Sequence, residues 1–227
     1  MIDSDTKIIL LIRSYNRPDY LKKTLDSLLD SDIDLCYKRY IYDDGSDKET
    51  INILENNNYI NLKNKEFIVI KDKNTGVKQS YLNALNFIKN THKDITNYYI
   101  CTLDNDLIVK NNFISVLYKE YNNGFNLFKH NNILLTGYNT KTHAISKNMP
   151  GYNFCKKITC GGINYFFKFE FLDFIILGWE YDLDWGVCRK MRKCGYVLLC
   201  LKKSVINHIG VEGVNSTKDM YSYDSNF

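Results

Sequence analysis

Several features that would assign the chain to a common class of protein are missing from its 227 residues. Its 30 basic and 26 acidic residues are scattered without a long basic block, so nucleic-acid binding has little support and a small anionic ligand remains compatible. The seven cysteines are odd in number and form no CxxC pair. This usage is typical of reduced thiols in a cytoplasmic protein and argues against a structural zinc site.

Long apolar runs are also missing, so the sequence predicts no transmembrane segment. The first residues, MIDSDTKIILLIRSYN, carry acidic side chains where a signal peptide has basic ones. Hydrophobic residues make up 44% of the chain, which is enough for a sizeable core. With no internal repeat and no linker, a single domain over residues 1–227 is the simplest interpretation.

Three motifs of well-known enzyme classes do not occur. The turn RSYNRP after the first predicted strand lacks the GxGxxG pattern of Rossmann dinucleotide-binding domains. No GxxxxGK[ST] phosphate loop and no GxSxG nucleophile elbow are present either. Dinucleotide, P-loop and serine-hydrolase chemistry therefore have little support.

What the first half does contain is an alternation of short apolar strands with helical patterns. The predicted strands are KIILLIR (7–13), YKRYIYDDGSD (37–47), EFIVIK (66–71) and YYICTLDNDLIV (98–109). Helices are predicted from Pro18 and from Gly76, where leucines and other apolar residues recur at helical spacing. The alternation predicts an α/β fold with parallel strands joined by right-handed crossovers.

The second half is less regular. We expect a helix around 111–122, a strand in NNILLTGY (131–138) and an irregular region from about 139 to 160. Order returns at ITCGGINYFFK (158–168) and continues to KKSVINHIG (202–210), and residues 211–227 form a tail that either frays or covers substrate. Irregular segments this long are usually functional.

Polar clusters follow all four predicted strands of the first half. They are Arg13-Ser14-Tyr15-Asn16, Asp43-Asp44, Asn74-Thr75-Gly76 and Asp104-Asn105-Asp106. In an open α/β sheet, ligands bind beyond the carboxyl ends of the strands, so these clusters predict a shared binding edge. Taken singly, each cluster is equally compatible with an ordinary turn.

Asp104 and Asp106 interrupt an apolar run, and ionised carboxylates inside a core require a partner. Residues two apart in an extended segment point the same way, so both can converge on one cation. Oxygen ligands without thiolate suit Mg²⁺ or Mn²⁺, which complete their shells with phosphate oxygens and water. A solvated loop is the alternative explanation.

The order and spacing of several motifs resemble a known family. IRSYNRPDYLKKTLDSLL, IYDDGSD, NTGVKQSYLNAL and YYICTLDNDLIV are similar to the nucleotide-sugar-binding half of GT-A glycosyltransferases, closest to the inverting family 2 enzymes. CGGINYFF resembles the glycine loop of that family, GWEYDLDWGVCRKMRKCGY its acidic acceptor-side motif and NHIG its C-terminal histidine. The resemblance covers about residues 7–210 and implies a mostly parallel central sheet flanked by helices, with a small antiparallel second sheet.

The resemblance implies a nucleotide-binding half (about 7–106) and an acceptor-binding half (about 107–210). In the first, Tyr15 would stack on the base and Asp44 would bond its N3–H, which implies uracil and a UDP-sugar donor. Asp43 would support the same pocket, and Asp104 would face the ribose or a metal-bound water.

The resemblance also implies a metal site, a glycine loop and a catalytic base. Asp104, Asp106 and His208 would form the metal site, with Mn²⁺ or Mg²⁺ as cofactor, and Gly161 and Gly162 would let the backbone approach the sugar or diphosphate closely. Aligning DLDW with the acidic motif puts Asp182 in the position of the base. Because Tyr181 stands where the family prefers Glu and the following helix is longer, Asp184 and Glu180 remain alternatives, and either Asp could instead cap the helix.

Three further residues are candidates for the nucleotide site. Arg13 replaces a small or hydroxyl residue and either contacts the uracil or ends the strand. Lys78 either approaches the diphosphate or is solvated, and Asn74 belongs to the polar cluster after the third strand.

The resulting prediction is a metal-dependent, inverting glycosyltransferase that transfers a sugar from a UDP-sugar to an acceptor hydroxyl. The alternatives are a sugar-nucleotide nucleotidyltransferase, although RSYNRP lacks that class's glycine-rich loop, and a catalytically inactive sugar-nucleotide-binding module. The sequence leaves open the sugar, the acceptor (glycan, protein or lipid-linked) and the oligomeric state.

Overall fold

The computed structural model describes residues 5–56, 60–62, 65–93, 97–181, 183–210 and 227. The predicted tail therefore lies outside the described residues, except for Phe227. Within the described part of the chain, no helix is both long enough and apolar enough to cross a membrane. All seven cysteines are free, and six of them are buried.

The chain alternates strands and helices as the first half of the sequence predicts. The strands are β1 (Lys7–Ser14), β2 (Lys38–Asp43), β3 (Asn61–Leu62), β4 (Lys65–Glu66), β5 (Ile68–Lys71), β6 (Tyr98–Asp104), β7 (Leu107–Val109), β8 (Ile133–Thr136), β9 (Ile145–Lys147), β10 (Phe154–Lys157), β11 (Asn164–Lys168), β12 (Val197–Leu201) and β13 (Ile206–His208). The α-helices are α1 (Pro18–Leu29), α2 (Lys48–Glu55), α3 (Val77–Thr91), α4 (Phe113–Phe128), α5 (Leu172–Tyr181) and α6 (Asp184–Lys193).

Nine strands form one sheet in the order β5-β2-β1-β6-β11-β8-β12-β10-β9. The four strands from β5 to β6 are parallel, and β8 is parallel to β12. β11 runs antiparallel to both of its neighbours, β6 and β8. The mixed sheet with its parallel first half confirms the predicted α/β class.

Helices cover both faces of the sheet because the central strands are apolar on both sides. In β1, Ile8, Leu10 and Ile12 face the core that contains α1 and α4. Ile9 and Leu11 point the opposite way, into the core that contains α3, α5 and α6. Alternation along a strand thus supplies two cores from one continuous apolar run.

The register of the central strands positions the polar edge. β1 lies between β2 and β6, so that Ser14 is opposite Asp43 and Arg13 is opposite Asp104. The three carboxyl ends therefore meet at one edge of the sheet, as the polar clusters predict.

A separate antiparallel pair, β7 with β13, is the predicted small second sheet. Its register places His208 opposite Leu107, one residue after Asp106. Asp106 O accepts a hydrogen bond from Ile209 N at 2.9 Å, which fastens the end of β13 to the same segment. This pairing brings together Asp106 and His208, which are 102 positions apart in the sequence.

Two expectations about secondary structure need correction. The segment 98–109 is not one strand, because it breaks at Asn105 and Asp106 and its two parts enter different sheets. The region 139–160 is not wholly irregular, since β9 and β10 extend the edge of the main sheet. Two adjacent lysines at the end of β10, Lys156 and Lys157, conceal the strand in the sequence. Lys157 is nevertheless buried, with its ammonium bonded to Thr140 O and His143 O at 3.0 and 2.6 Å.

Candidate functional site

The loop after β1 has an unusual backbone. Asn16 and Arg17 both have positive φ, 51° and 64°, which costs free energy for residues other than glycine. Asn16 offsets this with three contacts: its O accepts from Asn105 Nδ2 at 2.9 Å, its N donates to Ser46 Oγ at 2.7 Å and its Oδ1 accepts from Asp47 N at 2.7 Å. One residue thus ties together the loops after β1, β2 and β6.

Asp43 and Asp44 hold the loop after β2. Asp43 is fully buried and accepts from Ser46 N at 2.9 Å, which closes the turn. Asp44 accepts from Thr75 N and Thr75 Oγ1, both at 2.9 Å, and from Gly76 N at 3.1 Å. Between these loops, Gly45 has φ of 72°, and a Cβ there would lie 2.5 Å from Asn74 N, so only glycine fits.

These contacts define what is available for a nucleotide base. Tyr15 is 47% exposed and offers its ring to a stacking partner. Asp44 is buried, with one hydrogen bond on Oδ2, and a carboxylate oxygen can accept a second. Asn74 is exposed beside them. The predicted roles of Tyr15, Asp43, Asp44 and Asn74 stay predictions.

Asp104 is paired with Arg13, whose guanidinium donates to Asp104 Oδ1. The guanidinium also lies 4.1 Å from the ring centroid of Tyr81, which stacks on Trp179 at 4.1 Å. Burial raises the pKa of Asp104 to about 6, against the opposing effect of Arg13. Arg13 is therefore more than the end of a strand: it is the partner that the first carboxylate requires.

Asp106 is paired with two groups from distant parts of the chain. Its Oδ2 accepts from Arg17 Nη1 at 2.5 Å and lies 3.0 Å from His208 Nε2. Burial opposes ionisation, but the hydrogen bond and charge of His208, together with Arg17, hold the pKa of Asp106 below its usual value. Burial likewise lowers the pKa of His208, and the bond and charge of Asp106 reverse this effect, so that the pKa is raised overall.

The residues Arg13, Arg17, Asp104, Asp106 and His208, here termed the Asp106 cluster, can be tested for metal binding. Asp106 Oδ1 is buried and has no hydrogen-bond partner among the described residues. With His208 Nε2 beside the same carboxylate, it provides one oxygen and one nitrogen ligand, a set that suits Mn²⁺. Two protein ligands fit a cation that takes its other ligands from phosphate and water.

The third predicted ligand, Asp104, is less available. Its Oδ1 is paired with Arg13, and no group of three or more His, Cys, Asp or Glu side chains in the described part of the chain is arranged to hold a metal ion. The structure thus brings Asp106 and His208 together and directs Asp104 to an arginine. The metal roles of all three residues stay predictions.

A second acidic site lies at the start of α6. Asp184 Oδ2 accepts from Gly162 N at 3.1 Å and lies 3.9 Å from His143 Nε2, while Asp184 Oδ1 accepts from Trp185 N at 2.8 Å. Burial lowers the pKa of His143, against the opposing charge of Asp184. We refer to Asp184, Gly162, His143 and Trp185 as the Asp184 cluster.

The two predicted loop glycines pack against this second cluster. A Cβ on Gly161 would lie 3.2 Å from His143 Nε2, and one on Gly162 would lie 3.1 Å from both Asp184 Cβ and Trp179 Cζ2. The close approach at these glycines therefore involves protein side chains. Their contact with a sugar or diphosphate stays a prediction.

Of the three candidates for the base, the structure describes Glu180 and Asp184. Asp182 lies outside the described residues. Glu180 is exposed, and its backbone O accepts from Lys78 Nζ at 2.6 Å, so Lys78 reaches α5 from α3. Asp184 has both carboxylate oxygens hydrogen-bonded to backbone N–H groups, which keeps it oriented.

The Asp106 cluster and the Asp184 cluster are neighbours. Tyr138 lies between them: its ring centroid is 6.2 Å from that of His208, and its Cδ1 is 3.9 Å from the position of a Cβ on Gly161. Gly161 in turn contacts His143. Tyr138 and Gly161 therefore connect the Asp106 cluster, at the carboxyl ends of β1 and β6, to the Asp184 cluster at the start of α6.

Sequence reasoning missed three residues of this site. Arg17 falls within the turn RSYNRP, Tyr138 ends the predicted strand NNILLTGY, and His143 lies near the start of the region expected to be irregular. An arginine between a strand and a helix-starting proline, at the same predicted edge of the sheet as Asp104 and Asp106, is a signal that could have identified Arg17. Nothing in the local pattern distinguishes His143 or Tyr138.

Solved structures show where this architecture has been seen. GalNAc-T7, crystallised with UDP, GalNAc and Mn²⁺, superposes with a TM-score of 0.66 at 14% identity and covers 89% of this chain. TarS of S. aureus gives 0.59 at 16% identity over 88% of the chain, and its residues 1–349 give 0.56 at 17% identity over 88%. These likenesses establish a GT-A-like fold, as the resemblance predicted.

The extent of these matches is unequal. The chain spans 43% of the GalNAc-T7 chain, 36% of the TarS chain and 60% of TarS 1–349. None of the curated proteins compared with the chain matches it. The sequence matches the family model described as Glycosyl transferase family 2 over residues 10–173, which is more than half of its length. The chain therefore belongs to glycosyl transferase family 2.

Proposed function

We propose that this family 2 glycosyltransferase is metal-dependent and inverting, and that it transfers a sugar from a UDP-sugar to an acceptor hydroxyl. The observation that carries the proposal is the Asp106 cluster. The buried carboxylate of Asp106 has one unpartnered oxygen and lies beside the Arg17 guanidinium and the His208 imidazole, at the edge of a parallel sheet where ligands bind. Arg13 pairs with the neighbouring Asp104.

The charges of this cluster favour an anionic ligand. Arg13 and Arg17 balance the two carboxylates, so a cation held by Asp106 and His208 would leave net positive charge at the edge of the sheet. A diphosphate is a ligand that complements such a site. When bound there, a divalent cation supplies stabilisation for the negative charge that develops on the departing diphosphate.

The choice of UDP rests on the neighbouring loops and on one relative. The exposed Tyr15 ring can stack on a base, and Asp44 retains a free acceptor position for an N–H group such as N3–H of uracil. UDP and Mn²⁺ are the nucleotide and metal in the GalNAc-T7 crystal. The proposal extends that pairing to this chain.

Asp184, one of the alternatives to Asp182, is the base in this proposal, because its contacts are described while Asp182 lies outside the described residues. The acceptor hydroxyl oxygen forms a bond to the anomeric carbon while the bond from that carbon to UDP breaks, and UDP keeps the bonding electrons. Asp184 takes the hydroxyl proton, and attack opposite the leaving group inverts the configuration. Two backbone N–H groups orient Asp184, which supports Asp184 over Glu180 as the base. Variants of Asp182 and Asp184 distinguish these two residues by experiment.

The test is a thermal-shift screen of UDP-sugars with and without Mn²⁺. A ligand that binds only the folded state raises the melting temperature by mass action, so we expect a shift that requires both UDP-sugar and Mn²⁺. Asp106→Asn should remove the Mn²⁺-dependent part of the shift.

Asp26→Asn is the matched control, because Asp26 is exposed on α1 and the change removes the same charge. It should leave the shift intact. A shift that is equal in EDTA and in Mn²⁺, or that survives Asp106→Asn, would refute the proposal.

A further inference from the structure

Trp185 is exposed in a molecule that buries its other tryptophan. The chain has two tryptophans, of which Trp179 is 3% exposed and Trp185 is 45% exposed. Tryptophan is enriched at binding interfaces because its indole combines a large apolar surface with one N–H donor. Trp185 follows Asp184 directly, so this ring lies beside the proposed base.

The neighbours of Trp185 are polar groups with fixed positions. The ring centroid of His143 is 5.4 Å from that of Trp185, and the two planes are inclined by 40°. His143 is 6% exposed, and its Nδ1 lies 2.7 Å from Thr159 Oγ1, which fixes the imidazole and leaves Nε2 directed towards Asp184. An apolar ring thus stands next to two hydrogen-bonding groups that are held in place.

The separation of those two groups suits a hydroxyl. His143 Nε2 and Asp184 Oδ2 are 3.9 Å apart, too far for a hydrogen bond to each other. A hydroxyl oxygen at about 2.8 Å from each atom fits this separation and bonds to both. An alcohol placed there would donate its proton to Asp184 and be oriented by His143.

We propose that Trp185, His143 and Asp184 form an acceptor subsite for a pyranose ring, so that the acceptor is a sugar. The inference rests on the proposed function and specifies its acceptor. One face of a pyranose carries several C–H groups and stacks on an aromatic ring, while its hydroxyls point outward in the plane of the ring. A ring on Trp185 presents such a hydroxyl to the gap between His143 and Asp184.

The position of the subsite agrees with this use. Gly161 and Tyr138 connect His143 to His208 and hence to the Asp106 cluster, where the donor diphosphate is proposed to bind. A ligand on Trp185 is therefore adjacent to the donor. A serine or threonine side chain of a peptide has no comparable C–H face, and a lipid tail requires a longer apolar groove than a single exposed ring provides.

The first experiment measures binding directly. Full-length protein with UDP and Mn²⁺ is titrated with methyl glycosides of glucose, galactose and N-acetylglucosamine, and saturation-transfer NMR records which sugar protons contact the protein. We expect transfer to the C–H protons of one ring face of at least one glycoside, accompanied by a change in tryptophan fluorescence. No transfer to any of the three glycosides would overturn the inference.

The second experiment uses variants. Trp185→Ala should weaken binding of the responding glycoside about tenfold, as loss of a central aromatic contact commonly does. His143→Ala should weaken it less, and Trp185→Phe should retain binding but lose the fluorescence change. Phe125→Ala is the control, because Phe125 is 38% exposed on α4 and lies outside the Asp184 cluster.

The outcomes separate the subsite from the proposed function. Unchanged glycoside affinity in Trp185→Ala, or competition by a serine-containing peptide in place of a glycoside, overturns the subsite even when UDP binding still requires Mn²⁺. If UDP binding does not require Mn²⁺, the proposed function fails, and the glycoside titration without UDP still tests Trp185. In that case a tenfold loss of glycoside affinity in Trp185→Ala supports a sugar-binding surface at Trp185.

Discussion

The Asp106 cluster and the Asp184 cluster are both built around buried or half-buried carboxylates, but they neutralise them differently. Around Asp106, the partners are cations: Arg17, His208 and, for the neighbouring Asp104, Arg13. Around Asp184, the partners are backbone N–H groups and an imidazole whose pKa burial lowers. The first arrangement surrounds carboxylates with positively charged side chains, and the second orients a carboxylate mainly with backbone N–H groups.

Removing the proposed base should have the largest effect on activity. Asp184→Asn should reduce transfer by about 10²- to 10⁴-fold, because general-base catalysis contributes on this scale. Binding of UDP with Mn²⁺ should persist, which calorimetry can measure.

Asp182→Asn and Glu180→Gln are the comparison variants, and each should lose far less activity. A large loss in Asp182→Asn combined with near-normal turnover in Asp184→Asn would assign the base to Asp182.

On the side of Asp106, His208→Ala should weaken Mn²⁺ binding. Loss of groups that hold a metal or orient its ligands commonly reduces affinity by one to two orders of magnitude, so we expect roughly a 100-fold rise in the Mn²⁺ concentration for half-maximal UDP binding. The measurement is a UDP titration at fixed Mn²⁺ concentrations. His130→Ala, a histidine in the loop before β8, is the control, and an equal effect in both variants would contradict a metal role for His208.

The pairing of Asp104 can be tested through stability. Arg13→Met removes the guanidinium and leaves a mostly buried carboxylate without its partner, which should lower the free energy of unfolding by about 2 kcal/mol. Urea unfolding followed by circular dichroism measures the change.

The double variant Arg13→Met with Asp104→Asn should recover part of this loss, because the unpaired charge is then gone. Equal stability of the single and double variants would mean that the ion pair is not what holds Arg13 in place and that its stacking on Tyr81 dominates.

The smallest expected effect concerns pH. The pKa of His143 is lower in the folded protein than the value of about 6.5 expected when it is unfolded. The unfolded state therefore binds protons more readily, so stability is full above pH 6.5 and falls as the pH decreases through the folded pKa. His143→Gln should flatten this part of the pH profile, as measured by urea unfolding in EDTA. An unchanged slope would show that His143 is not the group responsible.

Much of this fold could be predicted because its signals are local. β1, β2 and β6 are short apolar runs, and Pro18 and Gly76 mark the starts of α1 and α3. Parallel topology then determines which polar residues reach one edge, so the sequence predicts that Arg13, Asp44 and Asp104 lie at the same edge of the sheet. The small second sheet followed only from the resemblance to a family.

The remainder depends on long-range contacts that no local pattern encodes. The sequence predicts that Asp104 and Asp106 share one cation, which stays a prediction. It does not reveal the pairing of Asp104 with Arg13, which follows from the register of β1 with β6. β10 is also difficult to predict from the sequence, because it ends in a lysine, Lys157. The ammonium of Lys157 bonds to a buried backbone oxygen, and β10 extends the main sheet beside the segment that carries His143. Position along the chain did not reveal these partners, because they lie on elements far apart in sequence.

The triple connection made by Asn16 has a consequence for ligand binding. Because its carbonyl, amide and side chain fasten three loops at once, the loops after β1, β2 and β6 form one connected unit at this edge of the sheet. A ligand that binds to connected loops loses less free energy to the ordering of those loops, so more of each contact would appear as affinity. Slow amide hydrogen exchange at Asn16 and Asp47 in the ligand-free protein is the signature of this rigidity.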